Sequence, residues 1–447
     1  MQVIIAGAGK VGYNIAKHLM HNNSVTVIDQ NEYAIQNIHE NLDVLGICGN
    51  IENPHTYLGI NPQIDLFIAV TDSDEVNLLS SLIIDNIATV KRKIIRLRNN
   101  FFASEQVKSK LNINETIVPS FEAAQPFKYL IDFPHAHNAK AFTYTKALLV
   151  SIRLKDDFTP RMISTFIGEL NGELAVAGME RQKQFFVPKP VETMLPNDLI
   201  YFFAFPAAIL SLRTLVCVET SEAPAPIKNC VIFGADSLGI EIAKVLLKKG
   251  IDVQIMDKNI ELCRKANIEL KNKATVLKTT YDADHIVHKT RFDTDMFIAA
   301  TKNDEYNITK CIEAKQKGIK KIIGINNDIA YSSLMRNLNI EVVRGEKINA
   351  YYSILERIQS HNNFIQKKFC GGEGAVLMRK IDTSSNLIGE KLPLPDKVDD
   401  RGHFIIVRDN DIYEYRLIQT FEEGDVIVAF TKESDYEIVA KWLQQNF

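Results

Sequence analysis

Residues Val3–Ala6 form a short apolar run with no polar alternation, the pattern of a strand buried on both faces of a parallel sheet. The run leads straight into Gly7-Ala8-Gly9-Lys10-Val11-Gly12, after which the spacing of apolar positions predicts an amphipathic helix to about His21. A second apolar strand, Val25–Ile28, ends in Asp29. These pieces make one βαβ unit with a glycine-rich turn between its first strand and its helix.

The same pattern continues downstream. Cys48-Gly49-Asn50 ends a predicted third strand and Thr71-Asp72 a fourth. Lys93-Ile94-Ile95 leads to a fifth, with Arg96 and Arg98 at its end. All of these ends fall on the carboxyl edge of the predicted sheet, where ligands of open α/β folds bind. There the two arginines either pair with a phosphate or stand as solvated surface charges.

The pattern then repeats. Ile4–Asp29 matches Val231–Asp257: Gly7 aligns with Gly234, Gly12 with Gly239, Ile15-Ala16-Lys17 with Ile242-Ala243-Lys244, and Asp29 with Asp257. Leu66–Asn77 likewise matches Met296–Asn307, so that Thr71 aligns with Thr301 and Asp74-Glu75 and Asn77 recur. That recurrence is open to a helix-capping or fold-specific role as much as to a role at a ligand. Leu195–Ile200 corresponds to Glu422–Ile427 at the close of two runs of short strand-like segments, and Thr220–Pro226 reads as the linker between the copies. The expected fold is therefore α/β, with two tandem doubly wound Rossmann-like lobes, each followed by a small α+β lobe. The expected spans are 1–120, 140–221, 227–345 and 364–447.

The turn has a definite chemistry. Gly7 permits the tight bend, Gly9 lacks the side chain that would block a pyrophosphate, and Gly12 lets the helix pack closely on the strand. The helix N-terminus offers free N–H groups and the positive end of its dipole to phosphates. Asp29 is placed to accept hydrogen bonds from ribose hydroxyls, and its charge disfavours a 2′-phosphate, which favours NAD or an adenosine nucleotide over NADP. The first-copy candidates for cofactor binding are thus Gly7, Ala8, Gly9, Lys10, Val11, Gly12, Asp29, Gly49, Asn50, Thr71, Asp72 and Arg98. Those of the second copy are Gly234, Ala235, Gly239, Asp257 and Thr301, although Asp236 replaces the middle glycine and would crowd and repel a phosphate. Binding in the second lobe is therefore expected to be weaker or different.

Composition narrows the field further. The chain has 447 residues and a formal net charge of −3, with no long Lys/Arg block, which argues against nucleic acid as a partner. No apolar run reaches the roughly 18 residues of a membrane span, and the N-terminus lacks the pattern of a signal peptide; a non-secreted, non-spanning protein is expected. The six cysteines (Cys48, Cys217, Cys230, Cys263, Cys311, Cys370) are scattered without a Cys-x-x-Cys and read mostly as small buried hydrophobes. His135/His137 and His285/His288 are the only closely spaced histidine pairs considered for metal, with surface or packing roles the simpler reading. No metal site is expected.

The glycine turn, Asp29, Gly49-Asn50, the Ile68–Asn77 run, Arg96-Leu97-Arg98, and in the last lobe Ile388–Pro393 and Glu423–Ile427, resemble the TrkA family across almost the whole chain. These are cytoplasmic nucleotide-binding regulatory subunits of bacterial Trk potassium uptake systems, built from tandem RCK (KTN) domains. The resemblance implies binding of NAD(H) and ATP or ADP, and a homo-oligomer, a dimer or tetrameric ring, beneath a transmembrane Trk potassium channel subunit. It further implies a peripheral position on the cytoplasmic face of the inner membrane and no catalytic activity. The first small lobe, about Tyr144–Val218, fits the family pattern only loosely. An NAD-dependent dehydrogenase is the main alternative, but no acid, base or nucleophile constellation accompanies the fingerprint. A nucleotide or redox sensor acting on DNA is disfavoured by the missing basic patch.

Overall fold

The computed structural model describes residues 1–170, 173–216, 227–279, 294–360, 363–383 and 385–446. The predicted linker Thr220–Pro226, His285 and His288, and Cys217 lie outside the described residues.

The first apolar strands assemble as their lack of alternation requires, in a six-stranded parallel sheet covered on both faces. Its spatial order is Leu45–Cys48, Ser24–Asp29, Gln2–Ala6, Leu66–Ala69, Lys93–Arg96, Glu115–Ile117. Counted along the chain this is 3-2-1-4-5-6, the doubly wound order whose switch point lies beside the first strand. The first helix, Lys10–Leu19, buries Val11, Ile15, Ala16 and Leu19 against the sheet and ends two residues before the predicted stop. The second copy reproduces the sheet with Thr275–Lys278, Asp252–Asp257, Asn229–Phe233, Met296–Ala299, Lys321–Asn326 and Glu341–Arg344.

The small lobes are also copies of one another. Each is a five-stranded antiparallel sheet with its last strand, Leu199–Ala204 or Val426–Lys432, in the centre. The first small lobe, which matches the family pattern loosely in sequence, therefore carries the same topology. One ion pair with a buried carboxylate marks the equivalence. Asp198 accepts from Nε and Nη2 of Arg181 at 2.9 and 2.8 Å, and Asp425 accepts from the same nitrogens of Arg408 at 2.8 and 2.8 Å. In each case the carboxylate also takes a backbone N–H three residues upstream. The two sheets pack face to face, with the rings of Phe203 and Phe430 5.4 Å apart.

The halves interlock. Pro119–Ala124 and Pro126–Asp132, which follow the first Rossmann sheet, pack on the helix Ser237–Lys248 of the second. In return, the helix Glu346–Ser360 lays Ala350 and Ile354 into the core of the first lobe beside Ile15 and Leu19. Arg357 of that helix pairs with Glu122 at 2.7 Å, tying the two crossing segments together. Of the cysteines, Cys230, Cys263, Cys311 and Cys370 are buried and free, and Cys48 is exposed. Among the described residues no helix is long and apolar enough to cross a membrane.

Candidate functional site

A cleft of about 530 Å³ opens at the carboxyl edge of the first sheet. It is lined by Gly7, Gly9, Lys10, Val11, Asp29, Asn50, Thr71, Asp72 and Arg96, together with neighbours on the same loops. Three glycines shape its floor in different ways. Gly7 has φ of +113°, a conformation that favours glycine. A Cβ on Gly12 would lie 1.9 Å from the Gly7 carbonyl oxygen, so the helix can approach the strand only with glycine there. A Cβ on Gly9 would meet nothing within 4 Å. Packing does not demand glycine at that position; the open space in front of it does no structural service.

Gly9 caps the helix Lys10–Leu19 without a side-chain hydrogen bond, leaving the first N–H groups of the helix open to an anion. Asp29 closes the turn from the other side. Its Oδ2 accepts from the Ala8 N–H at 2.7 Å and its Oδ1 from the Asn31 N–H at 2.9 Å. The carboxylate is thereby fixed while staying half-exposed, with lone pairs left for further donors.

Arg96 and Arg98 share Asp72, at 3.2 and 2.9 Å. Burial opposes the charge of Asp72, but the two guanidiniums outweigh it and hold the carboxyl below its usual range. Only Arg96 reaches the cleft; it is buried, and its Nε has no hydrogen-bond partner among the described residues. Arg98, the predicted one of the pair, is exposed and outside the lining. Ala8, Gly12 and Gly49 also stand behind the lining. Ala8 contributes its amide to Asp29, Gly12 packs on Gly7, and Gly49 lies against Thr56.

The recurring Asp74, Asn77 and their second-copy equivalents have a structural role. Asn77 is buried, accepts from both the N–H and the hydroxyl of Thr71, and donates to the carbonyls of Thr71 and Arg96. Asp74 accepts from the N–H groups of Arg98 and Asn99. Asn307 and Asp304 repeat these bonds on Thr301, Ile325, Asn327 and Asp328. The motif thus holds neighbouring strand ends in register beneath the cleft, and it presents Thr71 to it.

The sequence reasoning did not reach Lys347, which also lines the cleft. It belongs to the helix Glu346–Ser360, hundreds of residues away in the chain, and no local pattern announces it. Lys10 in turn reaches across to Asp328 of the second lobe at 3.4 Å. Both cations stand where the two halves meet beside the cleft.

The second copy is more buried among the described residues. Gly234, with φ of +119°, and Gly239 repeat the turn, and Asp257 accepts from the N–H groups of Ala235 and Asn259 at 2.8 Å each. Yet Ala235, Asp236, Asp257 and Thr301 are all buried, where Gly9, Asp29 and Thr71 are exposed or half-exposed. Asp236 serves as the helix cap, and burial raises its carboxyl above the usual range. His137 faces Glu341 with 3.6 Å between Nδ1 and Oε1, and no group of three or more potential metal ligands occurs among the described residues.

Fold and cleft define a tandem Rossmann-like protein with an open cleft at the glycine turn of its first copy and a more buried turn in its second. A family model for the TrkA-N domain matches residues 3–119 and again 230–344, more than half of the chain, and the chain belongs to that family. Among curated relatives, the Trk system potassium uptake protein TrkA homolog of Archaeoglobus fulgidus is 24% identical over 443 residues, covering 98% of each chain. The Trk system potassium uptake protein TrkA of Vibrio alginolyticus is 24% identical over 353 residues, 76% of each. Among solved structures, the GsuK RCK domain superposes with a TM-score of 0.62 at 14% identity, covering 99% of this chain and 94% of that one. The GsuK channel bound to NAD gives 0.62 at 14% identity, over 98% and 78%. At such identity the structural likeness shows the fold alone.

Proposed function

We propose that the chain is the nucleotide-binding regulatory subunit of a potassium uptake system, taking NAD(H) or ATP/ADP in the first cleft and biasing a transmembrane potassium channel subunit. The observation that carries this reading is the open helix N-terminus at Gly9 beside the half-exposed Asp29, in a family whose curated members are named for Trk potassium uptake. Phosphates sit on the free N–H groups of Lys10–Leu19, within reach of Lys10 and Arg96, and the ribose hydroxyls meet Asp29. No step of bond making or breaking is required of these residues, and the protein acts by binding.

A ligand shifts a conformational equilibrium only by its difference in affinity between the two states. Lys347 and Lys10 make such a difference available, because a phosphate in the cleft attracts the former across the junction between halves and competes with Asp328 for the latter. The chain acts as a homo-oligomer, dimer or tetrameric ring, docked on the cytoplasmic face of the channel subunit. Calorimetric titration with NADH, NAD, ATP and ADP tests the binding. Potassium flux in vesicles holding the chain and its channel subunit tests the rest: flux must change when a nucleotide that demonstrably binds is added, and equal flux with and without it would end the gating reading. Incubation with NADH and carbonyl acceptors should leave the nicotinamide absorbance unchanged.

A further inference from the structure

A larger cavity, about 870 Å³, lies between the first small lobe and the second Rossmann lobe, and none of the glycines of either turn lines it. One wall is the edge strand Asn138–Ala141 with its neighbour Leu148–Arg153. Adjoining it, with Asn138 Nδ2 donating to the Val342 carbonyl at 3.2 Å, are the last Rossmann strand Glu341–Arg344 and the helix Ser332–Asn337, and Phe369–Gly371 closes one side.

The charges on these walls do not balance locally. Several acids are spoken for: Glu180 stands 3.5 Å from Arg336 and 3.9 Å from Arg153, Asp198 is held by Arg181, and Glu341 pairs with Lys321 at 2.7 Å. Lys140 and Arg344 are different. Burial pushes the Lys140 ammonium well below the usual lysine range, and Arg344 and Lys367 push it the same way. Glu356, whose charge acts in the opposite direction, is engaged by Lys367 at 3.1 Å. Arg344 lies over the ring of Tyr352, 4.1 Å from its centroid, and gives one N–H to the Lys368 carbonyl at 3.1 Å; burial lowers its pKa as well. Among the described residues no carboxylate pairs with either cation. Two half-buried cations, near enough to repel each other and facing one cavity, are costly unless an anion joins them.

We propose that this cavity is a second ligand site, for an organic phosphate of about mononucleotide size, with Lys140 and Arg344 as its anion-binding pair. A planar guanidinium fork beside a compact ammonium suits a phosphate group. The volume falls within the roughly 300–1,000 Å³ of small-molecule sites and is larger than a bare phosphate fills. Tyr201 and Phe369, whose ring centroids are 4.8 Å apart, supply an apolar flank for the organic part. Because its walls come from the first small lobe and from both lobes of the second half, an occupant ties the first half of the chain to the second.

The test uses the full chain carrying Gly9→Asp, which takes the first cleft out of play, with AMP and pyrophosphate as probes in calorimetry and thermal denaturation. Both probes are expected to bind and to raise the melting temperature. Lys140→Met should weaken binding by at least about tenfold while leaving the ligand-free melting temperature equal or higher, because an unpaired enclosed charge has been removed. Arg344→Lys keeps the charge but loses the fork, and should weaken binding as well without unfolding the protein. Absence of binding in the Gly9→Asp chain, or unchanged affinity in both further variants, would overturn the site. Lowered ligand-free stability in Lys140→Met with unaltered affinity would make Lys140 a structural residue and likewise overturn it. None of these outcomes depends on the first cleft binding NAD.

Discussion

Asp236 adopts the backbone conformation of Gly9, with φ/ψ of −79°/−171° against −65°/−178°, and turns its carboxylate onto the N–H of Gly239 at 3.5 Å. One copy leaves a helix N-terminus open to an external anion, and the other fills the equivalent place with an anion of its own. The relationship converts a duplicated motif into two unequal sites.

Transferring that device should silence the open copy. Gly9→Asp places a carboxylate on the first helix N-terminus, in space where a Cβ meets no neighbour. Nucleotide affinity should fall by at least about tenfold while the melting temperature holds. A calorimetric isotherm indistinguishable from that of the natural chain would show that phosphates do not sit there.

Gly9 and Gly12 should separate ligand space from packing. Gly12→Ala drives a methyl to within 1.9 Å of a backbone oxygen and should cost on the order of 3 kcal/mol. Gly9→Ala should cost only about 0.5–1 kcal/mol, through loss of a better N-cap residue. Chemical denaturation of the two variants checks the ranking, which would be wrong if the costs came out equal.

Cofactor choice follows from Asp29. Its carboxylate is pinned by the amides of Ala8 and Asn31 and cannot swing away from a 2′-phosphate. NADP should bind at least about tenfold more weakly than NAD. Equal affinities in a competition titration would mean that the adenosine ribose lies elsewhere.

Glu346 begins the helix that crosses to the first lobe, and its Oε1 is buried with no hydrogen-bond partner among the described residues. Burial raises its pKa, the nearby Asp236 charge adds to this, and Lys302, Arg96 and Arg98 act in the opposite direction. With the folded-state value above the unfolded one, the contribution of Glu346 to stability is greatest in acid and is lost as pH rises through the folded value. Glu346→Gln should therefore raise the melting temperature at about pH 8 and change it little at about pH 4. A pH-independent effect would show that the carboxyl does not titrate in this way.

Much of the architecture was legible along the chain because its signals are local. Four consecutive apolar residues before a glycine turn, a helix of 3.6 periodicity and an acid at the next strand end are read from near neighbours, and a duplication shows by self-comparison. Gly7, Gly12 and Asp29 stand where that reading expects, since the βαβ unit is itself a local structure. The choice between Arg96 and Arg98 was not legible: residues two apart on a strand share a face, and only the packed sheet shows that the strand ends at Arg96, whose guanidinium is buried at the cleft, while Arg98 lies beyond that end. Nor was the work of Asn77, whose four hydrogen bonds join two strand ends brought together by folding. Lys347 at the first cleft, the enclosed pair Lys140 and Arg344, and the burial that raises the Asp236 carboxyl all depend on segments distant in the chain. Desolvation and charge pairing are set by whatever surrounds a group in space, so the sequence by itself determined the two sites' scaffold, and only the tertiary structure decided which was the more open and which cations, among the described residues, were left without a carboxylate.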